Sequence, residues 1–183
     1  MADSPTRVIT GKCRLSYVHV FEPFSVKDDQ AKKYSCVLLI PKTDKKTLDA
    51  IKKAQQAALE DGKNKVFNGK VPKAWKSTLH DGDEEADLER NPEYKGHMYV
   101  TVSSSTRPGV VDSELNPITS STEVYSGCYA RVSINAFAFN VQGNRGVGFG
   151  LNNLQKLGDG ESFGGYTRAE EDFGVVDDDE GLI

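Results

Sequence analysis

Between Gly127 and Val141, odd and even positions separate by chemistry. Cys128, Ala130, Val132, Ile134, Ala136 and Ala138 are small and apolar. Tyr129, Arg131, Ser133, Asn135, Phe137 and Phe139 instead combine aromatic rings, one cation and hydrogen-bonding groups. Side chains alternate across a β-strand, so this run predicts one core face and one opposite face. The second is too polar for a core and too aromatic for plain solvent. Rings stack on planar groups and a guanidinium pairs with an anion, so such a face suits a polyanion that carries planar rings.

Single-stranded nucleic acid is such a ligand: bases stack on aromatic side chains while Arg and Lys neutralise the phosphates. Lys12 and Arg14 on an earlier strand-like run, and Tyr99 on a middle one, extend the expected surface. Trp75 joins the candidates from the stretch 63–79, where five lysines are interleaved with Phe67 and Trp75. Arg107, in an Arg-Pro-Gly turn, joins them too. For Phe137 and Phe139 a second reading stands beside the first, in which they pack under a helix or in a dimer seam.

Other chemistries find little support. His19, His80 and His97 have no second ligand at metal spacing. No GxSxG elbow or Walker lysine loop is present, and Gly143, Gly146, Gly148 and Gly150 do not form GxGxxG. The alternating glycines at 146, 148 and 150 leave one strand face bare, for close packing inside a barrel or for the approach of a ligand backbone. Cys13, Cys36 and Cys128 lack CxxC spacing and read as three buried, reduced thiols. The expectation is a binder without catalytic residues, metal or cofactor.

Positioning this face requires a mostly β architecture. Arg7 to Val20 reads as one long strand with a bend or bulge at Gly11, and Lys33 to Ile40 as a strand buried on both faces. Thr43 can cap a helix whose Leu48, Ile51, Gln55 and Leu59 share one side, closed by Gly62. Its lysines read as a solvated face, with nucleic-acid contact as the other reading. Residues 81–93 carry seven acids against Arg90 alone and read as a flexible acidic surface loop. His97 to Ser104 is a further strand. Gly127 to Val141 then turns through Gly143-Asn144-Arg145 into a return strand, Gly146 to Leu154. A small curved barrel or sandwich with a helical insertion fits this order, and a helix on an open sheet stays as the alternative.

Charge divides along the chain. Glu170 to Ile183 holds seven acids and no Lys or Arg, while the 23 basic residues before it stand against 20 acids. The body is therefore mildly cationic and the end strongly anionic. Asp177, Asp178, Asp179 and Glu180 form the densest part of a tail that can compete for a cationic groove or recruit a basic partner. Residues 1–6 and 170–183 are expected to be disordered around one domain at 7–169. No apolar run approaches the roughly 20 residues of a membrane span and no signal-peptide pattern opens the chain, so a soluble, unsecreted protein is expected.

Several motifs together resemble a phage family of single-stranded DNA-binding proteins, long catalogued only as a domain of unknown function. They are Val110-Val111-Asp112, Asn116-Pro117-Ile118-Thr119, the run Gly127 to Asn135, Gly148-Phe149-Gly150-Leu151-Asn152-Asn153-Leu154-Gln155-Lys156, Asp159-Gly160-Glu161 and the acidic ending after Asp172-Phe173-Gly174. The resemblance spans about residues 7–180. It implies an OB-fold, a five-stranded Greek-key barrel with a helical insertion and extra hairpin elements. It also implies coating of single-stranded DNA in phage replication or recombination, in the cytoplasm of the infected bacterium. Tyr129, Arg131 and Asn135 occupy matching motif positions. The chain departs from better-known single-strand binders at its tip, which is Leu182-Ile183 and not an aromatic residue. Phage or host replication proteins are candidate partners of the tail, and monomer and dimer both stay open. The competing reading is a phage structural or adaptor protein that uses the aromatic face as a protein interface. A metal-dependent nuclease built on the acids of 81–87 is the weakest alternative.

Overall fold

The computed structural model describes residues 4–25, 27 and 30–163. In chain order the strands are β1 (Arg7–Ile9), β2 (Cys13–Phe24), β3 (Lys33–Pro41), β4 (Lys76–Ser77), β5 (Leu79–Asp81), β6 (His97–Ser104), β7 (Gly109–Val111), β8 (Tyr129–Val141) and β9 (Asn144–Gly158). Helix α1 (Lys45–Gly62) follows β3, the short α2 (Gly82–Glu85) follows β5, and a 3-10 turn spans Pro92–Tyr94.

The sheet closes on itself. β2 pairs with β3, β3 with β6, β6 with β9, β9 with β8, and β8 returns to β2. All these pairings are antiparallel except β6 with β9. This is a five-stranded Greek-key barrel of the OB type, which removes the free edges of its strands. β1 extends the sheet beside β8, β5 pairs with β6, and β4 and β7 add parallel pairs to β9. The β8–β9 hairpin turns through Gln142 and Gly143, both at positive φ (52° and 85°), as a two-residue turn of the I′ type requires.

Alternation decides which side chains fill the barrel. Cys13, Leu15, Cys36, Leu38, Ile40, Val100, Val102, Ala130, Val132, Ile134, Val147, Phe149 and Leu151 are buried together. The three thiols lie in this interior, where burial pushes Cys13 up to about 12 and raises Cys36 and Cys128 as well. Helix α1 packs Leu48, Ile51, Ala54, Ala58 and Leu59 onto the same core. Burying one such aliphatic side chain stabilises the fold by about 1.5–3 kcal/mol.

Local details differ from the sequence expectation. Arg7–Val20 is two strands, not one. The chain breaks around Gly11, whose N–H donates to Thr47 Oγ1 (2.9 Å), and a Cβ at Gly11 would stand 2.7 Å from Asp44 Oδ2. Ile9 and Tyr17 share odd parity with the buried Cys13 and Leu15 yet are exposed; Tyr17 sits at a register shift with φ 47°. The α1 cap is Asp44, whose carboxylate accepts from Thr47 N, and not Thr43. Gly62 ends the helix as its last helical residue and lies against Ala138, with Lys63 as the C-cap. Residues 4–6, expected to be disordered, are tied down: Ala136 N donates to Thr6 O and Arg7 N to Ser4 O.

The acidic segment 81–93 is structured as well. Lys42 Nζ pairs with Asp81 and Asp83, both at 2.7 Å, and holds both carboxyls below the usual carboxylate range. Ala86, Leu88 and Tyr94 then pack over Val37 and Leu39 on the outside of the barrel. That second small cluster is why β3 is buried on both faces.

Candidate nucleic-acid interface

Directly paired residues of neighbouring strands share a face, so the register of β8 defines the candidate surface. Tyr129 lies opposite Arg14, Arg131 opposite Gln155, Asn135 opposite both Arg7 and Gly150, Phe137 opposite Gly148, and Phe139 opposite Gly146. The intervening β8 residues from Ala130 to Ala136 are buried in the barrel. The aromatic and cationic face therefore points outward, away from α1, which meets the inner face at Ala138. Packing of Phe137 and Phe139 beneath the helix is corrected accordingly. Phe137 is 47% exposed.

The alternating glycines belong to this outer face and not to the barrel interior, which takes Val147, Phe149 and Leu151. A Cβ at Gly148 would stand 2.8 Å from Phe137 Cζ, one at Gly146 2.7 Å from Phe139 Cζ, and one at Gly150 3.0 Å from Asn135 Oδ1. Each bare position thus receives the side chain from the facing strand. Gly146 is also approached closely by the Lys76 carbonyl of β4. Rings supported on glycine keep one side open and lose little freedom on meeting a planar ligand.

At the other end of β8, Lys12 Nζ stands 4.6 Å and Arg14 Cζ 5.4 Å from the Tyr129 ring centroid. Arg14 is already engaged. Its Nε donates to Gly127 O (3.0 Å), its Nη2 to Glu161 O (2.7 Å), and Phe163 lies 4.4 Å from its Cζ. Phe163 N in turn donates to Ser126 O. Arg131 is exposed, and no carboxylate among the described residues pairs with it.

Three other candidates sit apart from this row. Tyr99 shares its sheet face, through the pairs Arg14–Leu39 and Leu39–Tyr99. However, Tyr99 belongs to the apolar cluster with Tyr94 and Leu88, and its ring meets Tyr94 edge-on at 5.1 Å. Trp75 packs inward against the main core, as does Phe67, so the aromatics of 63–79 anchor a connection while its lysines face solvent. Arg107 stands 5.9 Å from the Phe21 ring centroid. The acids of 81–87 do not converge on a cation: among the described residues no group of three or more His, Cys, Asp or Glu could hold a metal ion. Asp177, Asp178, Asp179 and Glu180 lie outside the described residues.

Arg7, Ile9 and Leu115 were missed as surface residues. Arg7 donates through Nε to Ser133 Oγ (3.3 Å), and Ile9 lies opposite Ser133. Ile9 has the parity of the buried Cys13 and Leu15, and the break between β1 and β2 at Gly11 puts it outside.

A closed five-stranded barrel with rings and cations along one outer strand is the architecture of an OB-type oligonucleotide-binding module. The family described as Enterobacter phage Enc34, ssDNA-binding protein, matches residues 6–183, and the chain belongs to that family. It is 28% identical over 177 residues to the putative protein p50 of Acyrthosiphon pisum secondary endosymbiont phage 1, covering 91% of this chain and 94% of that protein. Among solved structures it is similar to the single-stranded DNA-binding protein from bacteriophage Enc34 in complex with ssDNA. There the identity is 29% and the TM-score 0.70, over 87% of this chain and 90% of the other. The fold is shared with gp2.5, a single-stranded DNA-binding protein encoded by bacteriophage T7, at TM-score 0.61 and 14% identity, over 97% of both chains. Among the described residues no helix is long and apolar enough to cross a membrane.

Proposed function

We propose that this chain binds single-stranded DNA without sequence preference and coats it during phage replication or recombination in the cytoplasm of the infected bacterium, doing no chemistry on it. The observation that carries this reading is the outer face of β8, where Tyr129, Arg131, Asn135, Phe137 and Phe139 stand in one row and two rings rest on glycines. Each base stacked on a ring contributes roughly 1–3 kcal/mol, and every base has a face to stack, so the contact tolerates any sequence. Lys12 and Arg131 supply the cations that release counterions from the phosphates. Membership of a single-stranded DNA-binding family supports the choice of ligand.

The acidic tail is read as a competitor for this face or as a hook for replication proteins. Phe163, the last described residue, lies beside Arg14, and Glu170 follows it seven positions later in the sequence. At a screening length of roughly 8 Å in physiological salt, competition requires the acids to come within about that distance of the face.

Titrating labelled oligo-dT and duplex at several salt concentrations tests the reading. Tight, salt-sensitive binding to the single strand and weaker binding to duplex are expected; equal affinity for both, or none, refutes it. Replacing Arg131 with Ala should flatten the plot of log K against log salt by about 0.7, the value of one phosphate on a single strand. Deleting Glu170–Ile183 should raise affinity most at low salt, and no change would leave the tail only a partner hook.

A further inference from the structure

Ile9 and Leu115 are 56% and 70% exposed, and both border a groove of about 240 Å³. Ser133, Asn153 and Arg131 line it as well. Leu115 is not loose. It sits at φ 70°, a left-handed conformation that is uncommon for a bulky side chain and marks a position worth explaining. The turn that imposes it is built around Asp112, whose Oδ1 accepts from Glu114 N and Asn116 N, both at 2.9 Å. From β9, Gln155 Nε2 donates to the carbonyls of Asp112 and Ser113, both at 3.3 Å. A braced turn therefore holds a strained apolar side chain out in solvent, facing a second exposed aliphatic residue.

The groove continues the face already described, because Ser133 lies between Arg131 and Asn135 on the outer side of β8. Drug-sized ligands occupy pockets of about 300–1,000 Å³, so this smaller groove suits one planar ring. Aliphatic side chains line it together with Ser133 and Asn153, and Arg131 provides the charge a phosphate needs.

We propose that the Ile9–Leu115 groove is a nucleobase subsite, in which two aliphatic side chains clamp one base of the strand while Arg131 holds the adjoining phosphate. This rests on the single-stranded DNA reading above and adds a site unlike the aromatic platforms at Phe137 and Phe139. It also predicts that the strand runs along β8 past Ser133, instead of crossing the barrel at Tyr99.

Leu115→Gly is the decisive variant, because it removes the side chain while relieving the left-handed strain, so the fold should be retained or stabilised. Affinity for oligo-dT should fall about five- to tenfold. Affinity for a fully abasic strand of the same length, which keeps the phosphates but has no bases, should not change. Equal losses on both strands, or no loss on oligo-dT while the wild type binds it, overturn the subsite and leave the general reading intact. Failure of the wild type to bind oligo-dT removes both. Sedimentation of the two proteins covers the other occupant: a shift from dimer to monomer in the variant, with the monomer's DNA affinity unchanged, makes the groove a contact between copies of this chain and rejects the base.

Discussion

The ring of Phe137 lies across Gly148 on the facing strand, so close that a Cβ at Gly148 would stand 2.8 Å from Phe137 Cζ. The glycine is a seat for the ring, and the ring covers backbone that would otherwise be bare. Phe139 and Gly146 repeat the arrangement two pairs along the hairpin.

Gly148→Val tests what the seat does. Valine suits a strand, so the barrel should survive, with a melting midpoint close to the parent's. The Phe137 ring must lift or turn, and oligo-dT affinity should fall by about tenfold, the value of roughly 1.4 kcal/mol of stacking. An unchanged binding isotherm would show that the orientation of Phe137 is irrelevant.

Arg14 faces two tasks, and its geometry favours the structural one. Its donors are directed at the carbonyls of Gly127 and Glu161, which bind residues 160–163 to the start of β8. Arg14→Ala should destabilise the fold by about 1–3 kcal/mol, because hydrogen bonds to a charged donor are lost and two carbonyls lose their partner. Amide exchange at Phe163, whose N–H is held by Ser126 O, should accelerate selectively. Uniform exchange across the chain would contradict the strap.

The segment over β3 should loosen in acid. Asp81 and Asp83 are held below the ordinary carboxylate value, with the hydrogen bonds from Lys42 as the first cause. Groups with depressed folded values lend stability above their unfolded value of about 4 and lose it as pH falls through the folded one. Exchange at Gly96 N, which donates to Asp83 Oδ1, should therefore rise below about pH 4, and Lys42→Met should weaken that dependence. A flat profile in the parent protein would rule the clamp out.

Much of the candidate interface was legible in the linear chain because strand alternation is a local property. The two faces of β8, the buried β3 and the helix between β3 and β6 all follow from periods of two and 3.6 residues. The apolar parity of Ala130 to Ala136 settles which side meets the core, and the opposite parity then carries Tyr129, Arg131 and Phe137 outward. Local signals misled where long-range contacts decide. Seven acids in 81–93 looked like a solvated loop, yet Lys42 draws in two of them and Tyr94 covers Leu39. Trp75 looked like a stacking platform beside lysines, yet it packs on the core.

What the sequence by itself determined is the chemistry of each strand face and the division between a cationic body and an anionic end. Those depend only on residue type and spacing. Only the tertiary structure decided which residues share a surface. The register of the β8–β9 hairpin sets Gly146, Gly148 and Gly150 under the side chains of β8, and the break at Gly11 turns Ile9 outward toward Leu115, more than a hundred positions away. Register and closure are properties of paired strands, so no single run of residues contains them.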